Sequence, residues 1–213
     1  MRKWIGKSEG TAPKKKSKLI EKETNIIKVK YETKGLWDVE VQQSADLVWD
    51  ELQIPDIGQN LEPGEPSLPQ EGLYVAIPDD ATVTDIKVVK YKKDTHLLSH
   101  QVKPAPQPST DPSALPEITP KQEIYEKDDA FPGILFKKIG VTQVGDVNVV
   151  HLMVYPVQYH PIANTIDLYK KIELEVEYEL AAEAAPPMRG VPTRGRKRVP
   201  AGYEDQILNF DNV

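Results

Sequence analysis

The chain has 213 residues, of which 39% are hydrophobic and 19 are proline, and its formal net charge is −6. This length suffices for one well-formed core, and prolines spread along the chain disfavour long helices and favour short strands joined by turns. Because cysteine is absent, the chain contains no disulfide, no thiolate zinc site and no cysteine nucleophile.

Charge divides the chain into three parts. Residues 1–34 hold 11 Lys and Arg against 4 Asp and Glu, residues 35–180 hold 11 against 25, and residues 181–213 hold 5 against 4. The central part therefore carries a net charge of −14. Because such a body repels a phosphate backbone, nucleic acid is not an expected partner.

The first 24 residues are rich in Lys, Ser and Glu and show almost no apolar periodicity. This composition predicts a disordered basic leader over 1–24. The stretch lacks the apolar core of a signal peptide, and no window of the chain approaches 18 consecutive apolar residues. We therefore expect neither a signal peptide in this chain nor insertion into a membrane.

Strand-like alternation of apolar and polar residues runs from residue 25 to residue 180 and predicts an all-β domain. The alternating segments are "NIIKVKYET" (25–33), "LWDVEV" (36–41), "LYVAIP" (73–78), "VTDIKVVKY" (83–91), "VNVVHLMVY" (147–155) and "TIDLYKKIELEVEYEL" (165–180). In the last segment, one face is apolar and the other is formed by glutamates. The apolar face consists of Ile172, Leu174, Val176, Tyr178 and Leu180.

The stretch "YPVQYHP" (155–161) precedes this last strand and predicts a hairpin. We expect Gln158, Tyr159 and Pro161 to end one strand, residues 161–165 to turn the chain, and the next strand to return antiparallel with its glutamates toward water. A proline cannot donate a hydrogen bond to a sheet. Pro156 and Pro161 are therefore expected at strand ends or sheet edges.

A proline-rich loop, residues 103–121, holds six prolines in nineteen residues. A connection of this length is normally either functional or disordered. Its prolines stiffen the chain toward extended geometry, which reduces the entropy lost when the loop docks in a groove of another protein. A spacer between two sheet edges is the alternative, and the sequence leaves both open.

A basic linker, residues 181–202, follows the last strand and is rich in Ala, Pro and Gly. Exposed segments of this kind are readily cut by proteases, so we predict processing sites at its basic residues, which are Arg189, Arg194, Arg196, Lys197 and Arg198. After it, Ile207, Leu208 and Phe210 have the spacing of a new amphipathic element. Residues 203–213 are thus predicted to begin the junction to a following domain.

Residue patterns for catalysis or metal binding are absent. His96 and His100 have the spacing of a helical zinc pair, but they follow a strand pattern in which residues four apart lie about 13 Å apart. Asp128 and Asp129 lack the regular spacing of a calcium loop. We find no nucleophile elbow and no glycine-rich phosphate loop. The sequence therefore predicts a non-catalytic chain without metal or cofactor.

Five stretches resemble, in order, the N-terminal propeptide of the gingipain-type, caspase-like cysteine peptidases. They are "GEPSLP" (64–69), "YVAIPDDATV" (74–83), "FPG" (131–133), "YPVQYHPIANTIDLYKKIELEV" (155–176) and "AGYEDQILNF" (201–210). The resemblance implies an antiparallel, jelly-roll-like β-sandwich over 25–180 and a secreted or cell-surface protein. It also implies an inhibitory, fold-assisting prodomain that occludes the active-site cleft of a cognate peptidase, in cis or after cleavage, until proteolysis removes it.

In arginine-specific members of that family, a loop places a basic residue in the specificity pocket of the enzyme. Alignment through Asp111 and residues 131–133 puts this loop on residues 103–121 and the blocking position near Gln107 and Pro108. This chain departs from the pattern, since the nearest basic residues are Lys103 and Lys121. The inhibitory loop residues that the resemblance implies are Lys103, Pro106, Gln107, Pro108, Ser109 and Asp111.

An alternative function is a β-sandwich module that binds carbohydrate or protein, as in adhesion, because a fold by itself does not decide function.

Overall fold

The computed structural model describes residues 1–21, 25–108, 117–181 and 198–210. This part of the chain contains twelve strands and one short helix, α1 (Gln122–Tyr125). The strands are β1 (Arg2–Gly6), β2 (Lys14–Glu21), β3 (Ile26–Glu32), β4 (Gly35–Ser44), β5 (Leu47–Gln53), β6 (Gly58–Gln59), β7 (Pro69–Ile77), β8 (Ala81–Leu97), β9 (Phe136–Val144), β10 (Val147–Val154), β11 (Val157–His160) and β12 (Thr165–Leu180). The all-β prediction is confirmed.

The strands form three antiparallel sheets. One sheet has the order β1-β4-β5, a second has the order β6-β7-β10-β9, and the third has the order β11-β12-β3-β2 with β8 on the other side of β12. Each pairing between these strands is antiparallel. The jelly-roll connectivity stays a prediction.

The second and third sheets pack face to face. Alternate residues of β3, β7, β10 and β12 meet in one buried cluster that includes Val29, Val75, Leu152 and Leu174, each at most 1% exposed. This arrangement follows from the two-residue period of a strand, which places every second side chain on the same face. The three-stranded sheet forms a separate cluster with β11 and the start of β12, around Leu36 and Tyr159.

Strand β12 occupies the predicted range and lies inside its sheet. Ile172, Leu174, Val176 and Tyr178 are buried as predicted, and Lys28 of β3 forms an ion pair with Glu175 on the outer face at 3.3 Å. The prediction was wrong for Leu180, which is 47% exposed. It is the last residue of the strand and lies outside the core cluster.

The hairpin prediction is confirmed. Strand β11 pairs antiparallel with the start of β12, and residues 161–164 form the turn. Asn164 has φ 49°, its backbone N–H donates to the Pro161 carbonyl at 3.3 Å, and its side-chain Nδ2 donates to the Leu98 carbonyl at 3.2 Å. Pro156 and Pro161 lie at the two ends of β11, where no ladder hydrogen bond is lost.

The N-terminal residues differ from the expected disordered leader, because β1 pairs with β4 and β2 pairs with β3. Ile5 is 6% exposed in the cluster of the three-stranded sheet. Trp4 and Trp37 contact edge to face at 5.0 Å, and the Arg2 guanidinium lies 4.0 Å from the Trp37 ring. One buried isoleucine and two tryptophans thus secure a strand that composition alone does not reveal.

The C-terminal residues 198–210, which we call the C-terminal segment, lie on the outer face of the second sheet. Ile207 forms an isolated bridge with Tyr74 of β7 and is 4% exposed. Val199, Ile207 and Phe210 join Val149 in a small apolar cluster. These residues therefore belong to the folded domain, whereas the sequence indicated the start of another one.

Candidate functional site at the base of the proline-rich loop

The entry into the proline-rich loop is fixed by a buried carboxylate. Asp50 of β5 is fully buried and accepts hydrogen bonds from the backbone N–H groups of Ser99 and His100 at 3.0 and 2.8 Å. Its other oxygen lies 3.0 Å from His100 Nδ1. The Lys103 N–H donates to the Asp50 carbonyl at 2.9 Å. Asp50 thus holds the chain where it leaves β8 and enters the loop.

Both arms of the loop meet at Gly64. The Gly64 N–H donates to the Ala105 carbonyl on the first arm at 2.9 Å, and the Lys121 N–H on the second arm donates to the Gly64 carbonyl at 2.8 Å. Gly64 has φ +78°, and a Cβ there would lie 3.0 Å from the Thr119 carbonyl oxygen. Only glycine adopts this conformation without strain and leaves this space free.

The two arms also pair with each other, because the Gln107 N–H donates to the Glu117 carbonyl at 2.9 Å. This hydrogen bond and those of Gly64 hold Gln107 and Glu117 close together, and we call this hydrogen-bonded part the loop base. Residues 108–116 join its two arms. Pro106 is half-buried, while Gln107 and Pro108 are exposed. Ser109 and Asp111 lie outside the described residues. The exposed end of the described loop thus begins at the position where the resemblance implies the blocking residue.

A cluster of aromatic rings packs beside the residues that lead into the loop. The Tyr125 ring lies 6.5 Å from that of Trp49 and 6.2 Å from that of Tyr159, and its hydroxyl donates to the Val102 carbonyl at 2.8 Å. Burial raises the pKa of Tyr125 and raises the pKa of Tyr159 to about 12. Both hydroxyls therefore stay protonated near neutral pH, and α1 serves to bring Tyr125 into the cluster.

Both lysines of the loop are engaged in ion pairs at the base. Lys103 Nζ lies 2.7 Å from a carboxylate oxygen of Glu51, and Lys121 Nζ lies 3.1 Å from one of Glu65. Burial would raise the pKa of Glu51, but hydrogen bonds from Lys103 and Gln53 outweigh it and hold that pKa below its ordinary value. Lys103 is therefore placed in the support of the loop and not at its exposed end.

Three of the stretches that carry the resemblance converge beside this base. Glu65 and Leu68 of "GEPSLP", Phe131 and Pro132 of "FPG", and Tyr155 line a cavity of about 160 Å³. Beside it, the Gln158 side chain accepts a hydrogen bond from the Gly133 N–H and donates one to the Ile134 carbonyl, each at 2.8 Å. These sequence motifs therefore form the surface that lies beside the base of the loop.

Of the predicted processing residues, the structure describes Arg198. Its side chain is exposed, and its backbone lies against the β9–β10 turn, where its carbonyl accepts a hydrogen bond from the Asp146 N–H at 2.7 Å. Arg189, Arg194, Arg196 and Lys197 lie outside the described residues.

Among residues 1–21, 25–108, 117–181 and 198–210, no three His, Asp or Glu side chains are grouped so that they could hold a metal ion. His96 lies in β8, and His100 Nδ1 lies 3.0 Å from a carboxylate oxygen of Asp50. Within the same ranges, no helix has the length and apolarity that a membrane span requires.

Sequence reasoning missed Asp50, Gly64 and Asn209 as determinants of the site and of the C-terminal segment. The glycine within "EPGEP" was a usable turn signal, since glycine is the default residue for positive φ. Asp50 and Asn209 had no such signal, because their partners lie 50 and 133 residues away in the chain.

Known proteins support the assignment that the sequence motifs indicate. The family model Propeptide_C25 matches residues 8–209. A structure described as concerning zymogenic latency of gingipain K from Porphyromonas gingivalis is similar with a TM-score of 0.64 and 19% identity, over 85% of this chain and 100% of that chain. A complex of the pro- and mature domains of RgpB from Porphyromonas gingivalis is similar with a TM-score of 0.68 and 22% identity, over 93% of this chain and 98% of that chain. No curated protein matches the chain.

The chain has the fold of a gingipain propeptide, as the two solved structures show. It belongs to the Propeptide_C25 family, whose model spans nearly its whole length.

Proposed function

We propose that this protein is the inhibitory propeptide of a gingipain-like cysteine peptidase and that its proline-rich loop occludes the active-site cleft. The observation that carries this proposal is the loop base, in which Gly64 bridges both arms and Gln107 pairs with Glu117. A loop whose ends are already fixed loses less conformational entropy on binding than a free one. Family membership supplies the class of partner, a cognate peptidase domain in cis or after cleavage.

Occlusion by this loop is steric and not ionic. Residues 104–120 contain no Lys or Arg, and the two flanking lysines are held in ion pairs at the base. The loop therefore forgoes charge-assisted hydrogen bonds to an acidic specificity pocket, each worth about 1.5–3 kcal/mol. We infer that the cognate peptidase does not require a basic residue in the pocket that the loop fills.

The remaining parts of the proposal follow from the same role. The protein is non-catalytic, assists folding of its peptidase and acts at the cell surface or outside the cell, as gingipain relatives do. Release requires proteolysis in the basic linker. Of its five predicted sites, Arg189, Arg194, Arg196, Lys197 and Arg198, the first four are the cutting positions that we propose, because the backbone of Arg198 is hydrogen-bonded to Asp146.

The test exchanges the loop and leaves its base intact. Residues 108–116 are replaced by a Gly/Ser connector of equal length, which keeps the Gln107–Glu117 pair and the bonds of Ala105. We expect unchanged thermal unfolding and weaker inhibition when the variant is titrated against the isolated peptidase domain. A matched control replaces residues 182–190 of the linker by Gly/Ser and should inhibit like the parent. A loop variant that inhibits as tightly as the parent would exclude the loop from the mechanism.

A second exchange separates inhibition from processing. Substituting Gln for all five basic linker residues should leave inhibition intact and slow cleavage of the precursor, followed by mass. Equal cleavage rates for this variant and the parent would place processing elsewhere in the chain.

A binding module remains the second candidate function because a cleft of about 630 Å³ lies beside Trp37, Gln53 and Gln59. An aromatic ring with a few neighbouring polar groups is typical of small-ligand sites, and a sugar is one ligand that such a site could take. The Arg2 guanidinium, however, covers one face of Trp37, which blocks stacking on that side. Glycan binding that is lost in Trp37→Ala would favour this candidate over the propeptide.

A further inference from the structure

We propose that a cut in the basic linker leaves the C-terminal segment bound to the sandwich, so that cleavage by itself does not separate this domain from the chain that follows it. The segment is retained by the outer face of the β6-β7-β10-β9 sheet and by the backbone edge of β7 at Tyr74 and Ala76. The inference deepens the proposed function, since it concerns how a processed propeptide is released.

The strongest retaining contact is a two-point clamp between Asn209 and Ala76. The Ala76 N–H donates to Asn209 Oδ1 at 2.8 Å, and Asn209 Nδ2 donates to the Ala76 carbonyl at 2.9 Å. Asn209 is 5% exposed and Ala76 is 1% exposed. The asparagine amide thus takes the place of a neighbouring strand at this position of β7. The Leu208 N–H continues the pairing by donating to the Tyr74 carbonyl at 2.9 Å.

Apolar contacts accompany the clamp. Ile207, 4% exposed, packs with Ala76, Val147 and Val149, all at most 1% exposed. The segment therefore covers a buried apolar part of the outer sheet face, which would be exposed to water if the segment left. This cost opposes its release after a cut.

The other end of the segment is fixed at Arg198. Its N–H donates to Asp146 Oδ2 at 3.1 Å and its carbonyl accepts from the Asp146 N–H at 2.7 Å. Gly145, at φ +60°, permits this approach, since a Cβ there would lie 2.3 Å from the Arg198 oxygen. A backbone held at both groups is a poor protease substrate. The bond after Arg198 is therefore protected, and the cut falls after Arg189, Arg194, Arg196 or Lys197.

Hydrolysis at any of these four positions adds one water across a peptide bond and yields a carboxylate and an amine. It breaks none of the contacts described above. The product is a nicked domain in which the segment is held without a covalent bond.

The test uses the full chain and an arginine-specific endopeptidase, because the chain has five arginines and four of them lie in the linker. After native digestion, size-exclusion chromatography should give one peak that contains both pieces, and denaturing mass spectrometry should show an intact bond after Arg198. A freely eluting C-terminal peptide, or rapid cleavage after Arg198, would overturn the proposal. No peptidase partner is needed, so failure of the inhibitory role would not affect this result.

Variants locate the retaining contacts. Asn209→Ala should weaken retention of the peptide by about tenfold or more, because both hydrogen bonds are buried. Asn148→Ala is the matched control, since its side chain donates to the Asp79 carbonyl, and it should retain the peptide. Gly145→Ala should open the bond after Arg198 to cleavage. If Asn209→Ala fails to fold, the affinity can be measured in the digested parent protein, by exchanging the retained piece for a labelled synthetic peptide of residues 199–213. Immediate exchange would refute retention.

Discussion

Gly64→Ala is the sharpest perturbation of the loop base. The substitution places a methyl group at φ +78°, 3.0 Å from the Thr119 oxygen and from Lys121 Cγ. The left-handed conformation costs a non-glycine residue about 1–2 kcal/mol. A carbonyl oxygen is backbone and cannot swing aside, so the second arm of the loop must move. We expect a total loss of about 2–3 kcal/mol in the free energy of unfolding.

Gly10→Ala is the control for the part of the stability loss that comes from backbone strain. Gly10 has φ +69° and has no heavy atom within 4 Å of its would-be Cβ, so this variant carries the backbone strain without the crowding. We expect it to lose about 1 kcal/mol. For a protein of this size, 1 kcal/mol lowers the melting temperature by roughly 2–4 °C. Gly64→Ala should therefore melt several degrees below Gly10→Ala in calorimetry.

The loop itself supplies the second readout. Displacement of residues 119–121 separates the arms that Gln107 and Glu117 hold together, so Gly64→Ala should also inhibit the peptidase less well, at a temperature where it is still folded. Gly10→Ala should inhibit like the parent. Equal melting temperatures for the two variants would refute the crowding argument, and equal inhibition would show that the base does not preorganise the loop.

Two further predictions concern the three-stranded sheet and the hairpin. Burial, together with the nearby Asp50 carboxylate, raises the pKa of Asp38 to about 6. The folded state therefore keeps a proton on Asp38 that the unfolded state releases near pH 4. As a result, the free energy of unfolding falls as the pH rises from about 4 to about 6. Asp38→Asn should therefore gain stability relative to the parent from pH 4 to pH 6 in urea unfolding, and a constant difference would contradict the raised pKa. At Asn164, with φ 49°, Ala and Gly both lose the side-chain bonds, but Gly avoids the strain. Asn164→Gly should be about 1 kcal/mol more stable than Asn164→Ala by the same measurement, and the reverse order would show that backbone strain at this turn contributes little to the stability of the hairpin.

The sequence determined the strands whose two faces differ in polarity. Strand β12 was predictable because glutamates alternate with apolar residues from Ile172 to Leu180, and Thr165 and Asp167 alternate with Ile166 and Leu168 at its start. A strand with one buried face must show this period. The β11–β12 hairpin was predictable because two prolines mark strand ends and an asparagine accommodates a positive φ. The family motifs were equally readable, and the Propeptide_C25 match confirms them.

Tertiary structure alone decided the edges and the ends of the chain. Strand β1 contributes one buried residue, Ile5, and its other side chains show no alternation of apolar and polar residues. Its strand conformation therefore depends on its pairing with β4. By sequence, the C-terminal segment has the pattern of a new amphipathic element. The structure shows that the Ala76 backbone of β7 exchanges two hydrogen bonds with the Asn209 side chain instead. The loop base depends likewise on Asp50 and Gly64, which meet the loop only after the chain has folded. Hydrogen bonds between residues far apart in the chain leave no periodic trace in the sequence, whereas burial of one strand face does.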